Sequence, residues 1–295
     1  MIQNKFIYFP ILIFINLLVV AHTFAFLLDD KKYYKDIPIT TERELKINIE
    51  SALGKLTIGR VESNNALELE VVRDSKLGDP TEKIDYKVRD GIGYLKLPGY
   101  SKESKGKSVK LSGFDGENWR IYFTDKVPIS FDIELGAGKG YFDFTGLRVK
   151  DLNISTGASS VTVKFDEMNK NTIENLHIES GVSKFKAYNL LNANFNSFSF
   201  SGGVGSYELD FGGELNKEVD VNIEIGLGSL SVLIPKYIEA KVTYEKNWIS
   251  NIDLDRSFSE ESENEYVTSN YYNTRGKMNI KIEAGIGSVR LKRVK

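Results

Sequence analysis

Ile223-Glu-Ile-Gly226-Leu-Gly228-Ser-Leu230-Ser-Val232 is the stretch that decides how this chain folds. An apolar residue is followed by two residues, a Gly, one residue, a second Gly, one residue, and then two apolar residues separated by one. From Ile223 to Leu230 the step is seven residues, so a flat strand would put these two apolar side chains on opposite faces. Something must bend between them. The small residues are suited to this, because Gly takes positive φ and lets neighbouring backbone approach closely. The stretch reads as strand, glycine corner, strand, with Gly226 expected to need a conformation open to glycine.

The pattern recurs at Ile49-Ala52-Gly54-Leu56-Ile58, Val88-Gly91-Gly93-Leu95-Leu97, Leu135-Gly138-Gly140-Phe142-Phe144 and Ile154-Gly157-Ser159-Val161-Val163. It recurs again at Ile178-Gly181-Ser183-Phe185-Ala187, Phe200-Gly203-Gly205-Tyr207-Leu209 and Ile282-Gly285-Gly287-Val289-Leu291. Between Leu135 and Ile223 successive first residues lie 19 to 24 apart, the signature of stacked coils. The expected fold class is all-β: a β-solenoid, parallel β-helix-like, of coils of about 19–24 residues with Gly corners. Strict alternation in Leu67-Glu-Leu-Glu-Val71 and Ile84-Asp-Tyr-Lys-Val88 extends the strand reading upstream. Asn and Asp gather between coils, as in Asn169-Lys-Asn171 and Asn192-Ala-Asn194, where their side chains bond nearby backbone.

The amino terminus reads as an export signal. Met1 to Lys5 is a short basic start, Phe6 to Ala21 an almost wholly apolar run, and Thr23-Phe24-Ala25 offers small residues for a signal peptidase. Cleavage is expected after Ala25, with Ala21 as the second choice. The run is shorter than a bilayer span needs and holds Pro10 and Asn16, which argues against a retained anchor. The expected organisation is a signal peptide at 1–25, an N-terminal β region at 26–126, and a β-solenoid at 127–295 with a polar insertion around 251–272. The setting is then periplasmic or secreted, with no transmembrane segment after signal cleavage.

The 295 residues include no Cys, which excludes disulfides, thiolate chemistry and the acylated Cys of a lipoprotein. The balance of 39 basic and 41 acidic residues gives no basic face for nucleic acid, so no nucleic-acid partner is expected. The step of 59 residues from Ile223 to Ile282 is too long for one coil. It holds a strand, Ala240-Lys-Val-Thr-Tyr244, and then a polar excursion from Asn251 to Tyr272. The last unit, Met278 to Leu291, is expected to close the stack as its terminal coil.

Over residues 131–235 and 280–291 the chain resembles the toast-rack family, the C-terminal domains of cell-wall-active antibiotics response proteins, and the related β-solenoid adhesins. Ile133-Glu-Leu-Gly-Ala-Gly138, Asn153-Ile-Ser-Thr-Gly-Ala-Ser159, Ser201-Gly-Gly-Val-Gly-Ser206, Ile223-Glu-Ile-Gly-Leu-Gly-Ser-Leu230 followed by Ile234-Pro235, and Ile282-Glu-Ala-Gly-Ile-Gly-Ser288 carry the resemblance. Leu45 to Pro98 looks like that family's amino-terminal portion, with Ala52 where Gly is more usual. The resemblance implies a β-solenoid in the bacterial cell envelope and brings no catalytic residues with it.

The residues themselves offer little chemistry. Gly136-Ala-Gly138-Lys-Gly140 is not G-x-G-x-x-G and is followed by a strand, where a dinucleotide site needs a helix N-terminus. Gly106-Lys107-Ser108 resembles the end of a P-loop, yet the motif's first glycine would be Ser101. His occurs only at 22, in the leader, and at 177, between Leu176 and Ile178, where a solvated surface residue is expected and not the base of a triad. Lys164, Lys184, Lys186 and Glu208 are expected on exposed faces, mixed in sign like a solubilising surface.

The excursion combines Asp253 and Asp255 with Glu260, Glu261, Glu263 and Glu265, without the Asx and Gly spacing of a calcium loop. With Tyr266, Tyr271 and Tyr272 it forms the candidate partner-binding loop, carried by rigid coils. No catalytic residue, metal site or cofactor is expected. The reading is an exported, noncatalytic cell-envelope protein serving interaction, adhesion or stress response, with a protein or polysaccharide of the envelope as partner. The alternative is a carbohydrate-active β-helix enzyme.

Overall fold

The computed structural model of the chain describes residues 30–97, 117–245 and 250–295. Residues 1–25, read above as an export signal, and Gly106-Lys107-Ser108 lie outside the described residues. In chain order the strands are β1 (Asp30–Pro38), β2 (Glu44–Val61), β3 (Asn65–Asp74), β4 (Asp85–Arg89), β5 (Ile92–Leu97), β6 (Glu117–Thr124), β7 (Ile129–Asp143) and β8 (Val149–Lys164). They continue as β9 (Ile173–Tyr188), β10 (Phe195–Asp210), β11 (Glu218–Pro235), β12 (Glu239–Glu245), β13 (Ser250–Leu254), β14 (Phe258–Ser262), β15 (Glu265–Thr268) and β16 (Lys277–Val294). The described residues form an all-β protein in which these 16 strands belong to one sheet.

The long strands β7, β8, β9, β10, β11 and β16 lie side by side and parallel, and each is bent at its corner. In β11 the buried residues are Val219, Val221, Ile223 and Ile225, all odd, and then Leu230, Val232 and Ile234, all even. The change of parity at Gly226–Ser229 is what the odd step from Ile223 to Leu230 requires, and it turns both arms of the strand onto one core. Pairing skips the corner. Ile225 lies beside Ala284 and Leu227 beside Ile286, with Gly226 and Gly285 bulged out between them.

In-register pairing stacks like residues on like. Ile133, Ile154, Ile178, Phe200, Ile223 and Ile282 form one internal row across six strands. Aromatic contacts run through the same core, as in Phe131–Phe144 and Phe185–Phe200, whose ring centroids lie 5.2 and 5.4 Å apart.

Four sequence expectations need correction. The Leu135 unit is set two residues late: β7 pairs Ile133 with Ile154, and its corner is Gly136-Ala137-Gly138, level with Ala52–Gly54 and Gly157–Ser159, while Leu135 lies beside Thr156. The Val88–Leu97 unit is not a corner: β4 and β5 are antiparallel, joined by Asp90 and Gly91 at φ 53° and 76°, a tight hairpin turn. Gly226 does not need left-handed backbone. A Cβ there would lie 2.8 Å from the carbonyl oxygen of Gly203, so close strand approach is what excludes a side chain. The positive φ, 138°, belongs to Gly228. The last unit is also not the end of the stack. β16 inserts between β11 and a rung made of β12 along its first arm and β13 along its second.

The other end is built the same way. β2 pairs with β7 along both arms, from Leu45–Ile129 to Ile58–Phe142, and its far side carries β5 on the first arm and β6 on the second. The antiparallel strands β3 and β1 lie beyond β6, and β15 and β14 beyond β12. The outer strands are short or charged. β1 presents Asp30, Lys31, Lys32, Lys35 and Asp36, which discourages edge-to-edge pairing.

Candidate functional site

The five residues of the expected binding loop do not form one site, and the segment is not a loop. It is drawn into strands because its alternating residues pair with what lies beside them. β15 pairs with β12, and β14 folds back on β15 through Asn264 at φ 66°. Asp253 faces Arg290 of β16 at 3.2 Å. Asp255 accepts the main-chain N–H of Ser257 at 3.0 Å and of Arg293 at 3.2 Å, and these hydrogen bonds hold its carboxyl below the ordinary value. Tyr266 lies opposite Val242 and packs on the core.

Tyr271 is buried, donates its hydroxyl to Asn279, and has the Lys277 ammonium 4.9 Å from its ring centroid. Tyr272 is exposed and donates to Glu261, a bond that pushes its phenol up to about 12. Of the five, Tyr271 and Tyr272 touch edge-to-face at 5.0 Å. The two aspartates serve the second arm of β16, and Tyr266 and Tyr271 serve the first arm and the hairpin.

His177 is half-exposed and engaged, not simply solvated. Its Nδ1 lies 2.6 Å from Ser199 Oγ and its Nε2 3.0 Å from Glu179 Oε1. The order Ser–His–Glu is that of a nucleophile, base and orienting acid. Ser199, however, sits mid-strand in β10, paired to β9 and β11 on its two sides, so its main-chain N–H serves the ladder and not an oxyanion. Lys164 is likewise no free surface lysine. It pairs with Asp143 at 3.0 Å and Asp166 at 2.7 Å, and Lys186 pairs with Glu208 at 3.0 Å.

Among the described residues, strand pairing places grooves across the strands, of which two are lined by register rows. The first, about 720 Å³, lies on the outer face of the first arms toward the β5 end. Tyr94, Lys46, Ser130 and Asp151 stand in one register row along it, and Lys96, Asn48, Asp132 and Asn153 in the next. The second row runs on beyond the groove through His177, Ser199 and Asn222. Asn48 Nδ2 donates to Asp132 at 3.2 Å and Ser130 to Asp151 at 2.7 Å, while the Tyr94 ring stands exposed with Lys46 Nζ 6.0 Å from its centroid.

The second groove, about 930 Å³, runs along the corners. Its outer wall carries Glu134, Ser155, Glu179, Ser201, Glu224 and Glu283 in register. Beside it the residues that follow the first small corner residue line up as a ridge: Leu53, Ala137, Ala158, Val182, Val204, Leu227 and Ile286. Five of the twelve large apolar side chains exposed among the described residues belong to this one line, so their exposure is not scatter. The signal was present in the sequence. In six of the eight units the residue before the second Gly or Ser, taken there as any residue, is the ridge residue itself, an exposed Ala, Val, Leu or Ile; in the Leu135 unit that slot holds Lys139, and the ridge residue is Ala137.

Parallel bent strands with outward rows of like side chains define an all-β stacked-strand protein. The chain belongs to the toast-rack family: the family model described as the N-terminal domain of toast_rack, DUF2154, matches residues 28–188 and 167–233. Among curated proteins none matches the chain. Among solved structures it is similar to a candidate cell adhesion protein from Clostridium sporogenes ATCC 15579, with 24% identity over 90% of this chain and 100% of that one and a TM-score of 0.46. It is also similar to a candidate adhesin from Bacteroides fragilis NCTC 9343, with 14% identity over 89% and 97% of the two chains and a TM-score of 0.38. A candidate lipid binding protein from Parabacteroides distasonis ATCC 8503 gives 8% identity over 89% and 97% and a TM-score of 0.24. Among the described residues no helix is long and apolar enough to cross a membrane.

Proposed function

We propose that the protein is an exported, noncatalytic module of the cell envelope, a β-solenoid in which residues 26–126 and 127–295 form one stack, and that it binds an envelope polysaccharide along its outer face. One observation carries the reading: Asn48, Asp132, Asn153, His177, Ser199 and Asn222 stand in a single row across six adjacent strands. Strands about 4.8 Å apart repeat these hydrogen-bonding groups at a fixed interval. Carboxamides and carboxylates side by side offer the donors and acceptors that hydroxyl groups of a repeating polymer pair with. Beside the β5 end of the row, in the neighbouring row, the exposed Tyr94 ring offers an apolar face for a sugar ring.

Export rests on the charged, apolar and small-residue succession of Met1 to Ala25. The mature N-terminus is then Phe26, and N-terminal sequencing of protein from the outer fractions tests it. Intact Met1 on membrane-bound protein overturns it.

For binding, the purified protein is sedimented with insoluble envelope polysaccharide, with Tyr94→Ala and Asn153→Ala as variants. Retention of the wild type and loss in both variants supports the reading. Failure of the wild type to sediment with any polysaccharide fraction, or equal retention of both variants, refutes it.

A further inference from the structure

The apolar ridge along the corners is flanked by two rows of opposite character. Three residues before each ridge position stands the Glu and Ser row, and two residues after it stands a row of Lys and Ser. The pattern is plainest on three strands, where Glu50 and Lys55, Glu134 and Lys139, and Glu179 and Lys184 stand on either side of Leu53, Ala137 and Val182. Where the acidic row has Ser155 and Ser201, the other row has Ser160 and Ser206.

We propose that this ridge is a self-association surface and that its occupant is the ridge and groove of a second copy of the chain, related by a two-fold axis parallel to the ridge. Rotation about such an axis brings the acidic row of one copy over the Lys row of the other, level by level, because both rows come from the same strands. Glu134 meets Lys139 of the other copy, Glu179 meets Lys184, and Ser meets Ser between them. A two-fold axis across the ridge instead sets carboxylates against carboxylates, which repel. Charge therefore selects the parallel arrangement.

The shape agrees with it. The groove of about 930 Å³ lies directly beside the ridge, with corner glycines on its floor. An axis parallel to both lets each ridge enter the other copy's groove, an isologous contact in which the same patch serves both partners. Val182, Leu227 and Ile286, 64%, 44% and 48% exposed, are the side chains this removes from water.

Size sets the strength. Seven strands spaced about 4.8 Å apart make a strip about 29 Å long, and five residues of strand make it about 16 Å wide. Both partners together then bury on the order of 900 Å², below the roughly 1,600 Å² of a standard stable interface. The dimer is accordingly weak and concentration-dependent. The groove it fills shares no lining residue with the Tyr94 groove, but its acidic row borders the row of Asp132 to Asn222 on the same face, where Glu179 meets His177 at 3.0 Å, so its test reads association and not polysaccharide retention.

Sedimentation velocity of the purified protein from micromolar to millimolar concentration tests it, with far-UV circular dichroism to confirm the fold of each variant. The wild type is expected to shift from monomer to dimer. Val182→Asp with Leu227→Asp is expected to weaken the dimer at least about tenfold. Glu134→Lys alone and Lys139→Glu alone each place like charges together and weaken it, and the two combined restore it. This charge exchange reads out the pairing even if the ridge variant fails to fold. A wild type that stays monomeric to millimolar concentration, a ridge variant that dimerises as tightly as the wild type, or a double exchange that fails to restore what the single exchanges lose overturns the proposal.

Discussion

Asn169 on the turn between β8 and β9 donates its amide to the carbonyl of Val149, twenty residues earlier, at 2.7 Å, and accepts the N–H of the same residue at 3.0 Å. Its second amide hydrogen goes to the carbonyl of Ala193 on the following turn at 3.1 Å. One buried side chain thus ties three successive turns. Asn192 and Asn194 repeat the device toward Phe165, Asn169 and Asn171. The Asn residues that the sequence offers as turn formers do form turns, as Asn194 does at φ 57°, and their side chains act beyond that as braces from one strand's turn to the next.

Asn169→Ala leaves one donor and two acceptors buried without partners, which costs about 2 kcal/mol or more. Urea denaturation is expected to show a lower midpoint at an unchanged slope. An unchanged midpoint would mean that water replaces the amide at no cost.

Gly228 is the stricter of the two glycines in its corner. Its φ of 138° is open to glycine, and a Cβ there would fall within contact of the Gly205 carbonyl on the neighbouring strand. Gly228→Ala is expected to destabilise by more than about 2 kcal/mol, through backbone strain together with separation of β10 from β11. Ser229→Ala, one residue on and exposed, serves as the neutral control. Lys164→Ala does not, because Lys164 is held between two aspartates. Equal melting temperatures for Gly228→Ala and Ser229→Ala would refute the corner geometry.

Asp210 gives a pH dependence. Burial pushes its carboxyl above the ordinary value, against the hydrogen bond it accepts from the Gly212 N–H at 2.9 Å. The folded state therefore holds this proton more tightly than the unfolded chain does. Its contribution to stability is present below the unfolded value and is lost as pH rises through the folded one. Asp210→Asn keeps the acceptor and removes the charge. The variant is expected to be more stable than the wild type at neutral pH, with the difference shrinking in acid. Parallel stability curves from neutral pH to pH 3 would show that Asp210 is not the group responsible.

Tyr94 supplies the functional counterpart. Its ring is exposed, and its main chain pairs with Lys46 in β2 and Lys87 in β4, so Tyr94→Ala leaves the ladder intact. Polysaccharide retention is expected to fall by about tenfold or more, with the melting temperature shifting by no more than that of an ordinary surface change. A fall in both together would mark Tyr94 as a packing residue.

The sequence by itself determined the local geometry. An odd step between apolar residues, with small residues between, can be satisfied only by a bend, and the repeat of that unit made parallel neighbours in register the natural way to cover each apolar face. Six of the eight corners follow from that alone, and a seventh lies two residues before the unit read at Leu135, at Gly136 and Gly138. The eighth, at Val88–Leu97, carries the same letters, and there the tertiary structure chose a hairpin, because β2 on one side and β4 on the other could both be paired only by folding back at Asp90-Gly91.

Order along the stack was also decided beyond the sequence. Short-range pattern fixes which way a strand faces but not which strand lies beside it, so β16 could enter between β11 and β12, and Asp253 and Tyr271 could part to serve different arms of it. The candidate surfaces belong to the same class. Asn48, Asp132 and Asn153, or Val182, Val204 and Leu227, lie twenty or more residues apart and become a row only when register places them on adjacent strands.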